Sequence, residues 1–579
     1  MNKSNTELLK TTVEWKNIPW RDIERVVFKL QKRIFKAAQR GDHRAVRRLQ
    51  KTLMKSWSAK VLAVRRVTQD NQGKKTAGID GVKSLTPQKR LELVDQLRPT
   101  DKAKPVRRVW IDKPGKTEKR PLGIPTMNDR ATQALVKAAL EPEWEAKFEL
   151  NSYGFRPGRS CHDAIGAIFI AIRLKPKYVL DADIAKCFDR INHDSLLKKL
   201  NTFPTIRRQI RAWLKAGVID WSTESNNQSS YTPTSEGTPQ GGVLSPLLAN
   251  IALHGMENRI KQYAETLPTR AGYGKKVNRG SLSLIRYADD FVILHEDKAV
   301  VQRCQQIIID WLKDMGLELK PEKTRLSHTL IEESGNVGFD FLGFHIQQYK
   351  VGKFSSKQGF KTIITPSKKA LKEHTNKVGN IIEQHKNAPK EALIARLNPV
   401  ITGWCNYYKT VCSQDTFEMA DFVTFHQLFG WADKRHRSKK AAAAEWKKSG
   451  TRNWVFASND GQELKRHDST PITRHVKVRG DKTPYDGDWV YWSKRRGEYP
   501  GTMPLLADLL KSQKGKCSHC NMYFTSESLI EIHHVDGNHN SNKRTNLKAV
   551  HRHCHDIIHG KWETQVWEMR SDDSYQPIP

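Results

Sequence analysis

Two adjacent carboxylates interrupt an apolar stretch in the middle of the chain. In LIRYADDFVIL, residues 284–294, apolar residues flank Asp289 and Asp290, which predicts a strand, a tight turn and a second strand with both acids at the tip. Adjacent carboxylates repel each other unless a cation lies between them. An earlier β-rich run carries Asp183, and neighbouring strands could bring this acid beside Asp289. Three such acids are typical of a site for two Mg²⁺ ions in phosphoryl transfer, although an Asp-Asp pair alone is also typical of a solvated turn.

Seven short stretches give these acids a wider context. They are VRRVWIDKPGKTEKRPLGIPTMNDRATQALV (106–136), NSYGFRPGRSCHDA (151–164), VLDADIAKCFDRINH (179–193), EGTPQGGVLSPLLANI (236–251), RYADD (286–290), LKPEKT (319–324) and FLGF (341–344). In this order they resemble the fingers and palm of a reverse transcriptase, and specifically the protein encoded by a bacterial or organellar group II intron. The resemblance implies an RNA-directed DNA polymerase in which Asp183, Asp289 and Asp290 are catalytic and bind magnesium.

The same resemblance assigns a site for the incoming deoxynucleotide (dNTP). Phe188 is expected to stack under the sugar and to exclude a 2′-hydroxyl, while Gln240 is expected to lie against the nucleotide. Lys113 and Arg120 are expected to hold the triphosphate, the lysine as a point charge and the arginine as a planar fork.

Three further cationic side chains lie in these stretches. Lys323, in LKPEKT, is a candidate acid for the departure of pyrophosphate. Arg156 and Arg159, in FRPGRS, are on a predicted loop, where contact with a phosphate and a structural role in the turn are equally good interpretations.

The charge of the chain indicates a polyanionic partner. Of 579 residues, 99 are Lys or Arg and 62 are Asp or Glu, which gives a net charge of +37 and favours nucleic acid over a role in solubility alone. No apolar run approaches the ~20 residues of a membrane span, and the first residues, MNKSNTELLKTTVEW, lack a signal core or an amphipathic presequence. The few, scattered cysteines favour a reducing compartment. Together with this, the resemblance to group II intron proteins implies a bacterial, cytoplasmic and nucleoid-associated protein.

Residues 15–68 are predicted to form helices. Apolar residues recur at helical spacing from Ile23 to Phe35, with lysines and arginines between them, and Gly41 separates a second basic helix. The apolar stripe is that of an ordinary amphipathic core helix. The density of positive charge additionally predicts a polar face that contacts RNA.

Beyond residue 365 the sequence is predicted to be helical, with aromatic residues among basic ones. Trp404, Tyr408, Phe425 and Phe429 are predicted to lie mainly in the core of a small helical bundle. In the group II intron family this region is the thumb, or domain X. The resemblance implies maturase activity, in which the protein binds its own intron RNA and stabilises the folded ribozyme.

Residues 441–500 are polar, basic and aromatic and lack clear periodicity. They resemble the DNA-binding region of the family. A linker is the alternative interpretation, but Trp489, Tyr491 and Trp492 lie too close together for simple disorder.

A second set of residues with metal-binding chemistry lies near the C-terminus. Cys517-x-x-Cys520 and His551-x-x-Cys554 have the spacing of paired knuckles around one tetrahedral zinc ion. Such an ion would stabilise a segment that is too small for a large hydrophobic core.

Further histidines around these knuckles resemble those of the HNH, or ββα-metal, endonucleases. The resemblance implies that His534 is the general base and that Asn546 orients its imidazole. It also implies that His533, His555 and His559 hold a divalent ion, Mg²⁺ or another, against the scissile phosphate. A zinc ribbon without catalysis is the alternative, but such a ribbon does not require these additional His and Asn residues.

Together these patterns predict a multidomain α+β fold. Its parts are right-hand-like reverse transcriptase fingers and palm, an α-helical thumb, a small DNA-binding region and a zinc-stapled ββα-metal HNH domain. The expected domains are residues 1–100 (N-terminal extension and start of the fingers), 101–360 (fingers and palm), 361–440 (thumb), 441–505 (DNA-binding region) and 506–579 (HNH endonuclease).

The resemblance implies a multifunctional protein of a mobile intron. It would stabilise the intron RNA for splicing, remain bound to the excised lariat, nick target DNA and use the freed 3′-hydroxyl to prime reverse transcription, which is retrohoming. Base pairing by the RNA would supply most target recognition. Two alternatives remain: an RNA-binding splicing factor with a vestigial polymerase, and a reverse transcriptase that serves defence, a retron or diversity generation.

Overall fold

A computed structural model describes most of the chain. The described residues are 14–112, 119–221, 230–268, 274–333, 335–436, 438–449, 452–497, 502–524, 528–539, 541, 543–560, 567–569 and 575–577.

Helices form the N-terminal part, as predicted. They are α1 (Trp20–Gln39), α2 (His43–Lys55), α3 (Trp57–Arg65) and α4 (Pro87–Gln96). Ile23, Val27 and Ile34 on α1 are buried, and the lysines and arginines between them are mostly exposed. Asp42 caps the N-terminus of α2, where its carboxylate accepts a hydrogen bond from the Ala45 N–H at 2.9 Å.

Two sheets and their flanking helices follow. The elements are β1 (Val106–Asp112), β2 (Lys119–Ile124), α5 (Met127–Glu145), α6 (Cys161–Ile172), β3 (Tyr178–Asp183), α7 (Cys187–Arg190), α8 (His193–Leu200), α9 (Pro204–Leu214), β4 (Val218–Asp220), β5 (Ser230–Thr232), α10 (Ser245–Leu253), α11 (Met256–Ala264), α12 (Lys275–Ser281), β6 (Ser283–Tyr287), β7 (Asp290–His295), α13 (Lys298–Lys313) and β8 (Arg325–His328). The fingers sheet has the order β2-β1-β4-β5, and the palm sheet has the order β6-β7-β3-β8 with every pair antiparallel.

The palm sheet is covered on both faces. Successive residues of a strand point to opposite sides. Leu180 and Ile293 pack into the core that contains α13, while Val179 and Val292 pack into the core that contains α6. Burial of both faces explains why the strands around the acids are continuously apolar in the sequence rather than alternating.

The thumb is a helical bundle on a small sheet. Its elements are β9 (Phe339–Phe341), β10 (Phe344–Lys350), β11 (Phe360–Pro366), α14 (Lys368–Gln384), α15 (Lys390–Tyr408) and α16 (Gln414–Asp433). Tyr408 is buried and Trp404 packs against the same core, as predicted. The prediction is wrong for Phe425, which is 37% exposed and contacts Trp446 at the surface.

The segment after the thumb packs against the rest of the molecule. It contains α17 (Lys439–Ala443), β12 (Trp446–Ser449), β13 (Arg452–Phe456) and α18 (Trp489–Gly497). Residues 457–497, here called the strap, run from the thumb back to the fingers and palm. Trp492 is 4% exposed and lies against Gly158, where an added Cβ would be 2.5 Å from its ring. The linker interpretation of this region is therefore wrong.

The C-terminal part is a small ββα unit. Its elements are α19 (Pro504–Ser512), β14 (Ile530–His534), β15 (Leu547–His551), α20 (Arg552–Ile558), β16 (Trp567–Met569) and β17 (Tyr575–Pro577). Single 3₁₀ or π turns lie at Trp15–Asn17, Arg66–Asp70, Gln72–Lys75, Pro321–Lys323, Pro484–Asp486 and Arg544–Asn546. Among the described residues, none of the helices combines the length and the hydrophobicity needed to span a lipid bilayer.

Candidate active site and metal centres

The three predicted acids lie together at one end of the palm sheet. β3 ends at Asp183 and β7 begins at Asp290, and the antiparallel register makes these two residues direct partners. Asp289 lies in the turn between β6 and β7, where Ala288 has a left-handed backbone with φ of 58°. The hairpin thus has the predicted form, and sheet pairing brings Asp183 to it from far away in the sequence.

Burial and mutual repulsion both disfavour the charged forms of these acids. Burial and then the charges of Asp289 and Asp183 raise the pKa of Asp290 to about 7. Burial and the nearby Asp183 also raise the pKa of Asp289. Lys323, in the turn before β8, donates a hydrogen bond to Asp183 and offsets part of this negative charge. Clustered carboxylate oxygens are the ligands that Mg²⁺ prefers, so the residues present fit a magnesium site.

A fourth acid near the site was not singled out from the sequence. Asp181 lies two residues before Asp183 on β3 and therefore faces the same side of the sheet. Burial and then the charge of Asp290 raise the pKa of Asp181 to about 7, against the opposing charge of Arg325 on β8. In the sequence LDAD the two acids alternate with apolar residues, which places Asp181 and Asp183 on one face of a strand and could have identified Asp181.

A buried arginine supports the acid-bearing turn. Arg286 is 1% exposed, and burial lowers its pKa to about 10. Its guanidinium donates to the Ala288 carbonyl at 2.9 Å, to Ser152 Oγ at 2.7 Å and to Asn250 Oδ1 at 3.1 Å. These bonds join the turn to the NSYG segment (151–154) and to α10. The sequence analysis did not predict this role for Arg286, although a charged residue inside an otherwise apolar strand indicates a buried ionic or hydrogen-bonded partner.

Arg156 and Arg159 have structural roles rather than phosphate contacts. Arg156 is 5% exposed and binds the Glu145 carboxylate through two hydrogen bonds of 2.9 and 2.8 Å. Arg159 is also buried, and it donates to the carbonyls of Leu150 and Gly480. Of the two interpretations of these arginines, the structural one is correct.

Three of the four residues expected to bind the dNTP, Phe188, Gln240 and Arg120, lie in the described part of the chain. The Phe188 backbone carbonyl accepts a hydrogen bond from the N–H of Thr238, which holds the GTPQGG loop close to the end of β3. The Gln240 carbonyl accepts a hydrogen bond from the Gly123 N–H of β2 at 2.6 Å. Arg120, on the same strand, is exposed and its charge lowers the pKa of Asp289, against the larger effect of burial. Lys113 lies outside the described residues.

Two clusters of cysteine and histidine side chains that could each hold a metal ion lie in the C-terminal unit. The ligand atoms of Cys517, Cys520, His551 and Cys554 all lie within 4.8 Å of one another, and His551 Nδ1 is 3.4 Å from the Cys520 sulfur. Three thiols and one imidazole at this spacing fit a tetrahedral zinc ion.

The second cluster contains His533, His555 and His559, whose ligand nitrogens also lie within 4.8 Å of one another. His533 is on β14, His555 is on α20, and His559 directly follows the last residue of α20. The hairpin and the helix therefore bring the three imidazoles together. Glu531 Oε2 lies 3.0 Å from His555 Nδ1, the kind of contact by which a carboxylate fixes the orientation of an imidazole. Glu531 was not identified from the sequence, although it lies two residues before His533 on the same face of β14.

His534 and Asn546 are close in space but are not hydrogen-bonded side chain to side chain. Both ring nitrogens of His534 are buried, with no hydrogen-bond partner in the described part of the chain. The Asn546 side chain instead accepts from the Asp536 N–H at 2.9 Å and donates to the Ser541 carbonyl at 2.9 Å. Asn546 therefore fixes the loop that follows His534, so any orienting effect on the imidazole acts through this loop.

Comparison with known families accounts for most of the chain. Residues 15–97 match the N-terminal domain of reverse transcriptase, residues 111–346 match reverse transcriptase (RNA-dependent DNA polymerase), and residues 371–454 match the group II intron maturase-specific domain. These three matches occur in the order in which the N-terminal helices, the fingers and palm, and the thumb follow one another in the structure.

Individual relatives show the same relationship. Protein YkfC of Escherichia coli is 31% identical over 48% of this chain and 78% of its own length. The group II intron-encoded protein LtrA of Lactococcus lactis is 26% identical over 83% of this chain and 87% of its own length. Maturase-like protein 1 of Euglena gracilis is 28% identical over 68% of this chain and 77% of its own length. The chain therefore belongs to the group II intron-encoded reverse transcriptases and maturases, which act in intron splicing and mobility.

Proposed function

We propose that Asp183, Asp289 and Asp290 are the catalytic, magnesium-binding acids of RNA-directed DNA synthesis. The register that pairs Asp183 with Asp290, above the turn held by Arg286, is the observation that carries this proposal. Two bound Mg²⁺ ions would supply Lewis-acid stabilisation of the attacking and leaving oxygens. The protein's own contribution is a rigid sheet that holds the carboxylates in place before the substrate arrives.

The dNTP would lie between the palm acids and the fingers strand β2. Arg120 would bind its triphosphate, together with Lys113. Phe188 and Gln240 would contact the sugar and the base side of the nucleotide. In support of this, both side chains are half-buried rather than packed in the core, and Phe188 lies five residues after Asp183. Lys323 is the candidate proton donor to pyrophosphate, because its ammonium group already lies at Asp183.

The C-terminal unit is proposed to be an HNH DNA endonuclease. His533, His555 and His559 would hold one divalent cation, Mg²⁺ or another, while Cys517, Cys520, His551 and Cys554 would hold a structural zinc.

His534 is the proposed general base of this nuclease. Its buried ring nitrogens have no other use in the described structure, which favours this role. Asn546 would position His534 through the loop that it fixes, and Glu531 would orient His555. A zinc ribbon without catalysis is the second candidate, and the separate histidine cluster disfavours it.

These parts combine into a proposed sequence of events in intron mobility. The thumb and the basic face of the N-terminal helices would bind the intron RNA, and residues 441–505 would contact target DNA on their exposed side. The nuclease would nick one DNA strand, and the palm would extend the freed 3′-hydroxyl along the intron. The predicted domain limits and a nucleoid-associated location in a bacterial host belong to this proposal.

Two assays test the two activities separately. The purified protein with its co-purified RNA should extend a DNA primer on an RNA template. It should also nick a duplex that carries the insertion site identified from that RNA. His534→Ala should abolish nicking and leave zinc content and primer extension unchanged. Extension without nicking by the unaltered protein would support the zinc-ribbon alternative, and a failure of extension would support the vestigial-polymerase alternative.

A further inference from the structure

A cavity lies where the N-terminal helices, the strap and the zinc-binding knuckle meet. Its volume is about 320 Å³, and its lining includes Arg21, Phe28, Trp489, Tyr523 and His553. The lining therefore comes from three parts of the chain that are far apart in the sequence. A volume of this size is at the lower end of those that hold small molecules.

The walls of the cavity combine aromatic rings with an unsatisfied polar atom. The rings of Phe28 on α1 and Trp489 on α18 are 4.0 Å apart at an angle of 54°, and both are half-buried. His553 is 7% exposed, and its Nε2 is buried without a hydrogen-bond partner among the residues that the structure describes. A buried nitrogen without a partner is costly, so a ligand that hydrogen-bonds it would gain affinity.

Cationic side chains lie at the same cavity. Arg21 and Arg25 are exposed residues of its lining, one turn apart on α1. Glu24 also lines the cavity, but its carboxylate pairs with Arg65 at 3.3 Å, which neutralises it. Arg25 additionally binds Asp22 at 2.6 Å. Aromatic walls, an unsatisfied imidazole nitrogen and guanidinium groups at the rim are together complementary to a nucleobase and its phosphate.

We propose that this cavity binds one unpaired base of single-stranded DNA. The base would lie against Phe28 and Trp489 and hydrogen-bond His553, while a neighbouring phosphate would contact Arg21. DNA is favoured over RNA because one wall belongs to the knuckle of the proposed nuclease, and the proposal rests on that function for the source of the strand. Aromatic stacking is tolerant of sequence, so any base would be accepted.

Fluorescence of a DNA oligonucleotide that contains one 2-aminopurine tests the site. The full-length, zinc-loaded protein should quench the fluorophore through stacking, and Trp489→Ala should remove the quenching and weaken binding of the oligonucleotide about tenfold. Tyr349→Ala is the matched control, because this exposed ring lies on β10 and is not in the cavity lining. It should leave both quenching and affinity unchanged.

Arg21→Ala provides a second test that does not depend on the packing of Trp489. It should weaken binding about threefold at low salt and reduce the salt dependence of binding. Unchanged quenching in Trp489→Ala, or stronger binding of RNA of the same sequence, would overturn the proposal. His534→Ala separates it from the nuclease assignment, since that variant should lose nicking but keep the quenching.

Discussion

The palm site and the C-terminal site bring distant residues together by different physical means. In the palm, Asp183 and Asp290 are paired across the two central strands of a four-stranded sheet that has helices on both faces. In the C-terminal unit, His533 and His559 are held by a two-stranded hairpin and one short helix over a small core. The positions of the palm acids are fixed by strand pairing and by the hydrophobic core around the sheet. The C-terminal unit has only a small core, so we expect its histidines to depend on the Cys-and-His cluster beside them.

This difference predicts a different effect of a bound metal ion in the palm and in the C-terminal unit. In the palm the strand register itself places Asp183 beside Asp290, so a bound cation would offset the repulsion between carboxylates that the sheet backbone holds in place. In the C-terminal unit a zinc ion would supply folding free energy that the apolar core cannot provide. The palm metal would therefore affect activity, whereas the zinc would affect structure.

Asp289→Asn is expected to have the largest effect on the palm. It keeps the shape of the turn but removes a metal-binding carboxylate, so primer extension should fall at least about a thousandfold. The midpoint of thermal unfolding should not decrease. Asp310→Asn, at an exposed acid of α13, is the control and should leave the rate of primer extension unchanged.

Cys520→Ser, or removal of zinc by a chelator, tests the C-terminal unit. Nicking should be lost and limited proteolysis should remove this unit, while primer extension should stay within about twofold because the palm core is independent. Cys412→Ser, at a half-buried thumb cysteine, is the control. A protease-resistant C-terminal unit without zinc would show that the contrast between the two sites is wrong.

Asp163→Asn tests how much the contact between α6 and the strap stabilises the protein. The Asp163 carboxylate is fully buried on α6 and accepts hydrogen bonds from Arg495 at 2.6 Å, His475 at 3.0 Å and the Val478 N–H at 2.7 Å. Removing this charge should decrease the free energy of unfolding by about 3 kcal/mol, measured by urea denaturation. The same change at the exposed Asp194 should cost about 0.5 kcal/mol or less.

Lys323→Ala should have the smallest of these effects. The single-turnover rate of primer extension should fall about a hundredfold if Lys323 donates a proton to pyrophosphate. Affinity for the primer and template should not change. Lys313→Ala, at an exposed lysine of α13, is the control. An unchanged rate in Lys323→Ala would remove the proposed role of this lysine.

The sequence predicted the parts of the molecule that local pattern determines. The apolar residues around Asp289 predicted the hairpin, and the spacing of Cys517 and Cys520 predicted one of the two clusters. The sequence pattern could not predict partners that only tertiary packing supplies. Arg286 and Asp163 have roles set by residues more than a hundred positions away, and Glu531 orients His555 across the hairpin and helix.

The strap shows most clearly that sequence patterns do not predict contacts made only by tertiary packing. Residues 457–488, the part of the strap before α18, lack helical or strand periodicity because their contacts are made one at a time with the thumb and with α6. His467, for example, is fully buried between Asp421 at 2.7 Å and His374 at 2.8 Å. No sequence periodicity records such contacts, so a DNA-binding region and a linker were the available interpretations.

The most direct test of the central claim is a crystal structure of the protein with primer, template, a non-hydrolysable dNTP and Mn²⁺ in place of Mg²⁺. Anomalous scattering should show two Mn²⁺ ions bound among Asp183, Asp289 and Asp290. Two ions at this position would establish the palm acids as the polymerase centre. Mn²⁺ bound elsewhere, with none at the three carboxylates, would contradict the account.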